Sequence, residues 1–431
     1  MHTTYDKIKT TLTLLVLAVT ILGLTSTFAL AEADVEKEYK EGLYQREQGN
    51  IYSSIEAFNS ILSAQPNLHR VRLELAVAYY RAMNFAEAKR HAKQVLNNPK
   101  TPQNVKLSIN AFLAQLKKDE EAFYAKKTTL EYTASFGILH DTNVNAGPST
   151  STVPIGIFTL FLTPKSVQQS DSAVYASTGI SHRYQSPKTF KAGDKIGRFS
   201  WVTKANLYRK EYFHENDYNL DIISLSTGPA VSVLQSWRAN INIGIDQILI
   251  GDKRKGQYYS LTPSISKQFK KSEITWDAAF IRREFGQKLD ADRDSYYKST
   301  GLYYGRLFKD GKFAVQVGGR LFNENADIGR FSNDGTEVLA GANWVAWNNG
   351  SVYGRFRQKD SKFDGVEPLF AKKRDETEQR YDVGINHTLK KGTFKDWKIT
   401  ASYTYTENES NVAIYDYDRE VIGLGMSRTF R

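Results

Sequence analysis

From about residue 128 to the end of the chain, apolar and polar side chains alternate with a period of two. Trp397, Ile399 and Ala401, for example, are separated by Lys398 and Thr400. Because successive side chains of a β-strand point to opposite faces, each such segment has one apolar and one polar face. The pattern predicts strands and excludes a helical fold for this part of the chain.

Fourteen segments show this alternation, and the connections between them alternate between short and long. The segments lie near residues 129–137, 172–184, 198–210, 218–229, 237–249, 257–269, 273–284, 295–308, 312–322, 336–347, 351–359, 377–389, 396–406 and 418–430. Short connections such as Lys309-Asp310-Gly311 and Asn348-Asn349-Gly350 have the residues of tight turns. An even strand count with short turns at one rim and long loops at the other is the pattern of a transmembrane β-barrel of the Gram-negative outer membrane. The connection near 185–197 is long where a short one is expected, and the pattern does not account for it.

The six tryptophans and the end of the chain support a barrel. If the first strand rises from the periplasm, all six tryptophans fall near the periplasmic rim, where amphipathic indole rings favour the bilayer interface. In a soluble β-sandwich, which shares the alternating pattern, they would be scattered through the core. Phe430 ends the last alternating segment and resembles the terminal signal that barrel-assembly machinery recognises.

The residues from about 34 to 125 have apolar positions at three- and four-residue spacing, which predicts helices. Pro66 and Pro99 lie 33 residues apart, and the turns Gly49-Asn50 and Met83-Asn84 repeat at nearly that interval, close to the period of tetratricopeptide repeats. Thr101-Pro102 then begins another helix. We therefore predict two degenerate tetratricopeptide-like repeats and a capping helix, whose surface would hold a protein segment.

The first residues predict the compartment. Lys7 and Lys9 precede an apolar run from Leu12 to Leu24, and Ala29-Leu30-Ala31 supplies a cleavage site, as in a secretory signal peptide. The apolar run is too short to span a bilayer. The predicted domains are a signal peptide (1–31), a periplasmic helical domain (32–127) and a transmembrane barrel (128–431).

Composition narrows the chemistry. The chain contains no cysteine, which excludes disulfides, thiol nucleophiles and cysteine metal sites. Its net charge of +11 is compatible with an anionic membrane surface or acidic cargo, while export from the cytosol argues against a nucleic-acid partner. Because the histidines are dispersed and no P-loop, nucleophile elbow or dinucleotide fingerprint is present, we predict a non-enzymatic protein without a metal or cofactor.

Three arginines have the parity of the predicted lumen: Arg320, Arg355 and Arg357, with Arg306 as a further candidate. A basic lumen would guide an acidic chain or select anionic solutes. The alternative is that each arginine is paired with Asp or Glu across the lumen, as charges inside barrels commonly are.

The segment that follows the first predicted strand contains Asp141, Asn143 and Asn145, an Asp-x-Asn-x-Asn pattern. A calcium loop of the EF-hand type would need Gly at position six and Glu at position twelve, where this chain has Ala146 and Thr152. A role in capping a turn or loop is therefore favoured. The same loop contains the apolar run 153–162, which would enter the lumen, rest on the membrane or contact cargo.

The signal peptide, helical domain and barrel together resemble the surface lipoprotein assembly modulator (Slam) family. The stretch from Phe136 to Asn145 is similar to the first barrel strand and the start of the first outer loop in that family. The resemblance implies an outer-membrane translocator that moves surface lipoproteins, or soluble haem- or metal-scavenging proteins, from the periplasm to the cell surface. The implied partners are this cargo protein, outer-membrane lipids and, during biogenesis, the barrel-assembly machinery.

Two other functions fit the same architecture. A barrel alone would serve as a passive solute pore. Exporters of anionic exopolysaccharide also join periplasmic tetratricopeptide repeats to a barrel, although they usually have longer repeat arrays than the roughly ninety residues available here.

Overall fold

The structure, a computed structural model, describes residues 31–125, 127–234 and 236–431, apart from the side chains of residues 31–33, 288, 289 and 291. The predicted signal peptide therefore lies outside the described residues, except for Ala31. Within the described ranges, no helix is both long and apolar enough to cross a membrane. The chain forms two compact units, one helical and one a β-barrel.

Fourteen strands form one closed barrel in which neighbours in sequence are neighbours in space. The first strand closes on the last, with Tyr132 opposite Phe430 and Phe136 opposite Met426. The barrel strands are β1 (Thr128–Asp141), β4 (Asp171–Ala192), β5 (Lys195–Tyr212), β6 (Leu220–Val233), β7 (Trp237–Ile250), β8 (Lys253–Gln268), β9 (Ser272–Phe285), β10 (Ser295–Phe308), β11 (Phe313–Ala326), β12 (Asn333–Trp347), β13 (Gly350–Glu367), β14 (Lys372–Thr388), β15 (Lys398–Ser410) and β16 (Tyr417–Phe430). The remaining two, β2 (Thr152–Ile155) and β3 (Phe158–Phe161), form a small hairpin in the loop after β1. The predicted fold class, helices followed by a 14-stranded antiparallel barrel, is confirmed.

The two faces of the barrel wall differ in polarity. Asp277 on β9 and Arg320 on β11 both lie opposite Gly301 of β10 and line one cavity, so their parity faces the lumen. The opposite parity includes Leu302, Val317 and Val338, whose side chains are 58%, 46% and 48% exposed. Large apolar side chains on the outside and charges on the inside are the arrangement expected of a wall that contacts lipid.

The connection between β4 and β5 corrects the sequence prediction of a long turn at 185–197. Both strands continue through this region, and only Gly193 and Asp194 separate them, with Gly193 at a φ of +61°. Glycine adopts this left-handed conformation without a steric cost. The periodicity failed here because residues 185–199 belong to the helical unit, so their side chains do not follow the alternation of the barrel wall.

Of the described residues, the helical unit comprises 31–125 and Lys127, together with Gln185–Phe199, 231–234 and Ser236. Its helices are α1 (Ala31–Glu47), α2 (Ile51–Ala64), α3 (His69–Arg81), α4 (Phe85–Leu96) and α5 (Gln103–Ala125). Each helix packs against the next in sequence, as the helical periodicity predicted.

The core of this unit is apolar, and one residue of the β4–β5 hairpin takes part in it. Phe58, Leu75 and Ile196 are buried in the same cluster. The hairpin also completes α2, because the side chain of Asn50 does not cap that helix. Asp194 accepts hydrogen bonds instead, from the Ile51 N–H to its backbone oxygen (3.1 Å) and from the Ser53 N–H to its carboxylate (2.6 Å). A carboxylate at this position also interacts favourably with the helix dipole.

A charged pair is buried within the helices. Arg46 and Glu74 are 4% and 2% exposed and form an ion pair. Tyr39 donates a hydrogen bond to the same carboxylate (3.4 Å), and burial raises the pKa of the Tyr39 phenol to about 12. Hydrogen bonds from two donors offset part of the cost of removing the Glu74 charge from water.

Candidate functional site: the charged barrel lumen

A cavity of about 1110 Å³ lies inside the barrel, lined by residues of strands β8 to β15. Two tyrosine rings lie against its wall. A Cβ at Gly318 would collide with the Tyr303 ring, and one at Gly384 would collide with the Tyr353 ring. Glycines on the neighbouring strands therefore allow these rings to lie flat on the wall instead of projecting across the lumen.

Most charged side chains on the inner wall form ion pairs between or along strands. Arg320 contacts Asp277 (3.2 Å), and Arg357 contacts Glu337 (3.7 Å) and also Glu378. Further lumenal pairs include Arg238–Glu273 (2.6 Å), Arg283–Glu324 (2.7 Å) and Arg380–Asp382 (2.9 Å). The wall thus carries a series of neutralised pairs, although the Nε atoms of Arg283, Arg320 and Arg357 have no hydrogen-bond partner among the described residues.

Arg355 differs from the other two arginines singled out in the sequence. Its guanidinium lies over the Tyr353 ring at 5.4 Å, its side chain is exposed to the cavity, and it forms no ion pair with a carboxylate of the described residues. Arg306 has the opposite parity: it lies on the same face of β10 as Leu302, and its guanidinium lies over the Phe308 ring at 5.2 Å. The structure therefore brings Arg320, Arg355 and Arg357 to the lumen and directs Arg306 outwards.

Asp141 joins three strands at the seam of the barrel. It is 1% exposed and accepts hydrogen bonds from the Tyr212 hydroxyl (2.6 Å), the Arg419 Nε (2.9 Å) and the Asn143 backbone N–H (3.1 Å). These contacts link β1 to β5 and β16. Since both carboxylate oxygens are engaged, the residue has a structural environment.

Asn143 and Asn145 hold the loop that follows β1. The Asn143 side chain donates to the Gly147 carbonyl (2.9 Å) and accepts from the Gly147 N–H (2.9 Å). The Asn145 side chain donates to the Val167 carbonyl (2.8 Å) and accepts from the Gln169 N–H (3.1 Å). In the described part of the chain, no three His, Asp or Glu side chains are arranged to hold a metal ion.

The apolar run 153–162 forms the β2–β3 hairpin. Val153 is buried, whereas Ile157 and Phe158 are exposed at the turn and Phe161 is exposed at the open end of the hairpin. Gly156 occupies the turn with a φ of +59°. The exposed apolar tip carries no polar group suited to catalysis.

Aromatic side chains gather where the short turns lie. Trp237 begins β7, Trp347 ends β12 and Trp397 directly precedes β15. The Trp397 ring contacts the Phe430 ring edge-on, with 6.3 Å between centroids. Phe430 thus ends the last strand on its outward face, and its role in assembly remains a prediction.

The helical unit has a separate groove of about 810 Å³. Tyr52, Tyr79 and Tyr124 line it together with Lys127 and Lys188. An aromatic groove with lysines at its margin has the chemistry to bind an extended, acidic protein segment.

Sequence reasoning missed several groups of the site. The acidic partners Asp277 and Glu337 have the same parity as the lumenal arginines, so the alternation itself could have identified them. The placement of Tyr303 and Tyr353 against glycines depends on the strand register, which the sequence does not display. The Gly193-Asp194 dipeptide is a turn signal that would have placed the β4–β5 hairpin.

A known protein family matches only a C-terminal part of the chain. A family model described as "Protein of unknown function (DUF2860)" matches residues 330–427, which run from just before β12 into β16. A search of curated proteins finds no significant match. The similarity to the surface lipoprotein assembly modulator family and to tetratricopeptide repeats thus has no independent support.

Solved structures of other barrels are similar to this chain at low identity. They include OpdK of Pseudomonas aeruginosa with vanillate (7% identity, 70% of this chain, 99% of that chain, TM-score 0.34). An anion-selective porin from Comamonas acidovorans has 9% identity over 70% of this chain and 99% of its own, with a TM-score of 0.40. The outer-membrane channel DcaP of Acinetobacter baumannii has 9% identity over 70% of this chain and 97% of its own, also with a TM-score of 0.40. At these values, no function follows from the likeness.

Proposed function

We propose that this protein is a non-enzymatic outer-membrane channel through which small hydrophilic solutes cross. The observation that carries the proposal is the inverted wall, with side chains such as Leu302 and Val317 exposed outside and ion pairs such as Arg320–Asp277 inside. Lipid would cover the outer face and water would fill the inner one. The periplasmic location of the helical unit belongs to the same proposal.

The size of the lumenal cavity favours small solutes. The part lined by β8 to β15 has a volume of about 1110 Å³, slightly above the roughly 300–1,000 Å³ that small-molecule sites occupy. A folded cargo protein is far larger than this cavity. A sugar, a small organic acid or an extended chain would fit.

Reconstitution of the full-length protein into lipid vesicles tests this function. We expect rapid efflux of entrapped small sugars and ions from vesicles containing the folded protein, and retention of a dextran too large for the cavity. Vesicles with heat-unfolded protein are the control. Vesicles that stay sealed to ions, with a barrel that still migrates as folded in unheated gels, would refute the channel.

A second candidate is translocation of specific cargo, namely surface lipoproteins or soluble haem- or metal-scavenging proteins. The aromatic groove of the helical unit favours it, because Tyr52, Tyr79 and Lys188 offer a protein segment both stacking and charge. In this proposal the helical unit receives cargo and the barrel provides the route outward. Protease treatment of intact cells with and without the gene tests it: unchanged cargo exposure in the deletion strain would count against translocation.

Export of an anionic exopolysaccharide is tested by the same deletion strain. An exporter would leave the protease result unchanged and abolish the surface polysaccharide. If the protein is a solute channel, its deletion would change neither the protease result nor the surface polysaccharide, and it would slow the entry of the solutes that use the channel.

A further inference from the structure

We propose that Arg355 forms a binding site for small organic carboxylates on the inner wall of the barrel. This inference deepens the proposed channel by assigning a class of solute, and it rests on contacts within the barrel unit alone. Its basis is the contrast between one exposed, unpaired guanidinium and the neutralised arginines beside it.

Among the described residues, no carboxylate lies within ion-pair distance of Arg355, although its charge acts on Asp382. Arg320 and Arg357 each contact at least one carboxylate. Asp382 lies opposite Arg355 in the register, but its carboxylate is engaged by Arg380 (2.9 Å) and by the Thr404 hydroxyl (2.7 Å). The guanidinium of Arg355 is therefore available to a ligand that enters the cavity.

The wall beside Arg355 has space for that ligand. Gly341 lies opposite Arg355 on β12, and Gly305 lies on β10, beyond Gln316 of β11. A Cβ at Gly341 would meet the Arg355 stem at 3.5 Å, an ordinary contact distance, and one at Gly305 would meet nothing closer than 3.8 Å. With no side chain at Gly341, the wall beside the guanidinium is open, and a second gap lies at Gly305 beyond Gln316.

Amide groups surround this open part of the wall. Gln316 lies opposite Gly341 on β11, and Asn343 lies diagonally from Arg355 on β12. Both side chains line the cavity, and neither forms a hydrogen bond with another described residue. Amide N–H₂ groups donate to oxyanions, so they would complete a set of donors around a carboxylate held by the planar guanidinium.

The neighbouring rings suggest the rest of the ligand. The guanidinium of Arg355 lies over the Tyr353 ring at 5.4 Å, and that of Arg320 lies over the Tyr303 ring at 5.9 Å. Since one face of each ring is already covered, a planar ligand would meet a ring edge or stack on the guanidinium itself. A small aromatic or unsaturated carboxylate would thus place its charge on Arg355 and its apolar part beside Tyr353. Inorganic phosphate shares the oxyanion chemistry but gains nothing from the rings.

Saturation-transfer NMR on the full-length protein folded in detergent measures the binding directly. The probes are benzoate, its neutral isostere benzamide, and inorganic phosphate as a competitor. We expect benzoate to bind more tightly than benzamide, and Arg355→Gln to raise the benzoate Kd by about tenfold, since hydrogen bonds to charged groups are lost. Arg355→Lys keeps the charge and loses the bidentate geometry, so its benzoate Kd should lie between those of wild type and Arg355→Gln.

Arg428→Gln is the matched control because it removes the same charge from the face of β16 that carries Phe430, away from the cavity. It should leave the benzoate Kd unchanged. Equal benzoate affinity in wild type and Arg355→Gln, or equal binding of benzoate and benzamide to wild type, would overturn the site. Phosphate competing as well as benzoate would overturn the role of the rings. If Arg355→Gln does not fold, Arg355→Lys and the benzoate–benzamide pair still decide.

Failure of the site and failure of the channel give different results. If benzoate binding depends on Arg355 but the vesicles stay sealed, the binding site is supported and the channel is refuted. If the vesicles release their contents but binding does not depend on Arg355, the channel is supported and the binding site is refuted.

Discussion

The helical unit and the barrel direct their apolar and charged side chains to opposite places. In the helical unit, Phe58 is fully buried and charges lie mostly on the surface, with Arg46 and Glu74 as a buried exception. In the barrel, Leu302 lies outside and Arg320 lies inside. The same hydrophobic effect explains both arrangements if the helical unit folds in water and the outer face of the barrel contacts lipid.

The comparison also separates two kinds of ion pair. Arg46 and Glu74 are withdrawn from solvent, so the loss of one partner would leave a buried charge alone. The Arg320–Asp277 pair lines an open cavity of about 1110 Å³ and is partly exposed, so water can replace a missing partner there. Substitutions in the two regions should therefore differ in cost.

The largest expected effect is at the buried pair. Glu74→Ala should lower the free energy of unfolding of the helical unit by about 3–5 kcal/mol, because it leaves the Arg46 guanidinium buried without its partner. Urea unfolding of the full-length protein, followed by circular dichroism at 222 nm, measures it. Lys40→Ala, in an exposed pair with Glu36, is the control and should cost less than about 1 kcal/mol.

The double variant Arg46→Met, Glu74→Leu should recover most of that loss, since an apolar pair carries no desolvation cost. If Glu74→Ala and Lys40→Ala shift the urea midpoint equally, the distinction between the two kinds of ion pair fails.

Adjacent positions on β11 test which face of the barrel contacts lipid. Val317 points outward and Gln316 inward. Val317→Arg should destabilise the barrel by about 2–4 kcal/mol because it places a charge in lipid, whereas Gln316→Arg should change stability by less than about 1 kcal/mol. Equilibrium folding into lipid vesicles in urea measures both. Equal costs would mean that both faces are wet.

The smallest expected effect is a pH dependence confined to the helical unit. Burial lowers the pKa of His91 to about 4, assisted by the positive charges of Arg90 and Arg72 and opposed by Glu87. Below pH 6.5 the unfolded chain binds a proton that the folded His91 does not. Stability is therefore fully present above pH 6.5 and falls as the pH drops towards 4, by on the order of 2 kcal/mol.

Comparing wild type with His91→Gln isolates this contribution, since carboxylates elsewhere titrate in both proteins. The difference in unfolding free energy between the two should change between pH 7 and pH 4 and stay constant above pH 7. A constant difference over the whole range would show that His91 has the same pKa in the folded and the unfolded chain, and would contradict the prediction.

The sequence was sufficient for the strands and helices because each has its own period. The alternation around Trp397 and the three- and four-residue spacing before Lys127 survive in the structure as β15 and the helices. It was insufficient for the β4–β5 hairpin, where Ile196 is apolar for a helical core rather than for lipid. The two-residue period indicates a strand between lipid and lumen, whereas Ile196 packs against the helices.

The lumen was predictable in parity but not in pairing. Arg320, Arg355 and Arg357 look alike in the sequence. Whether an arginine is neutralised depends on which carboxylates the register brings within reach, and on competition such as that of Arg380 for Asp382. Such contacts arise only when strands distant in sequence are aligned.

The helical unit is discontinuous in sequence, since Asp194 caps α2 and Ile196 fills its core although both lie after β4. A product that stops at Lys127, through truncation, proteolysis or a premature stop codon, would carry a frayed α2 and a hole among its apolar side chains. During synthesis, the core of the helical unit would stay incomplete until the β4–β5 hairpin has been made. Folding of the helical unit is therefore complete only after the first strands of the barrel have been synthesised.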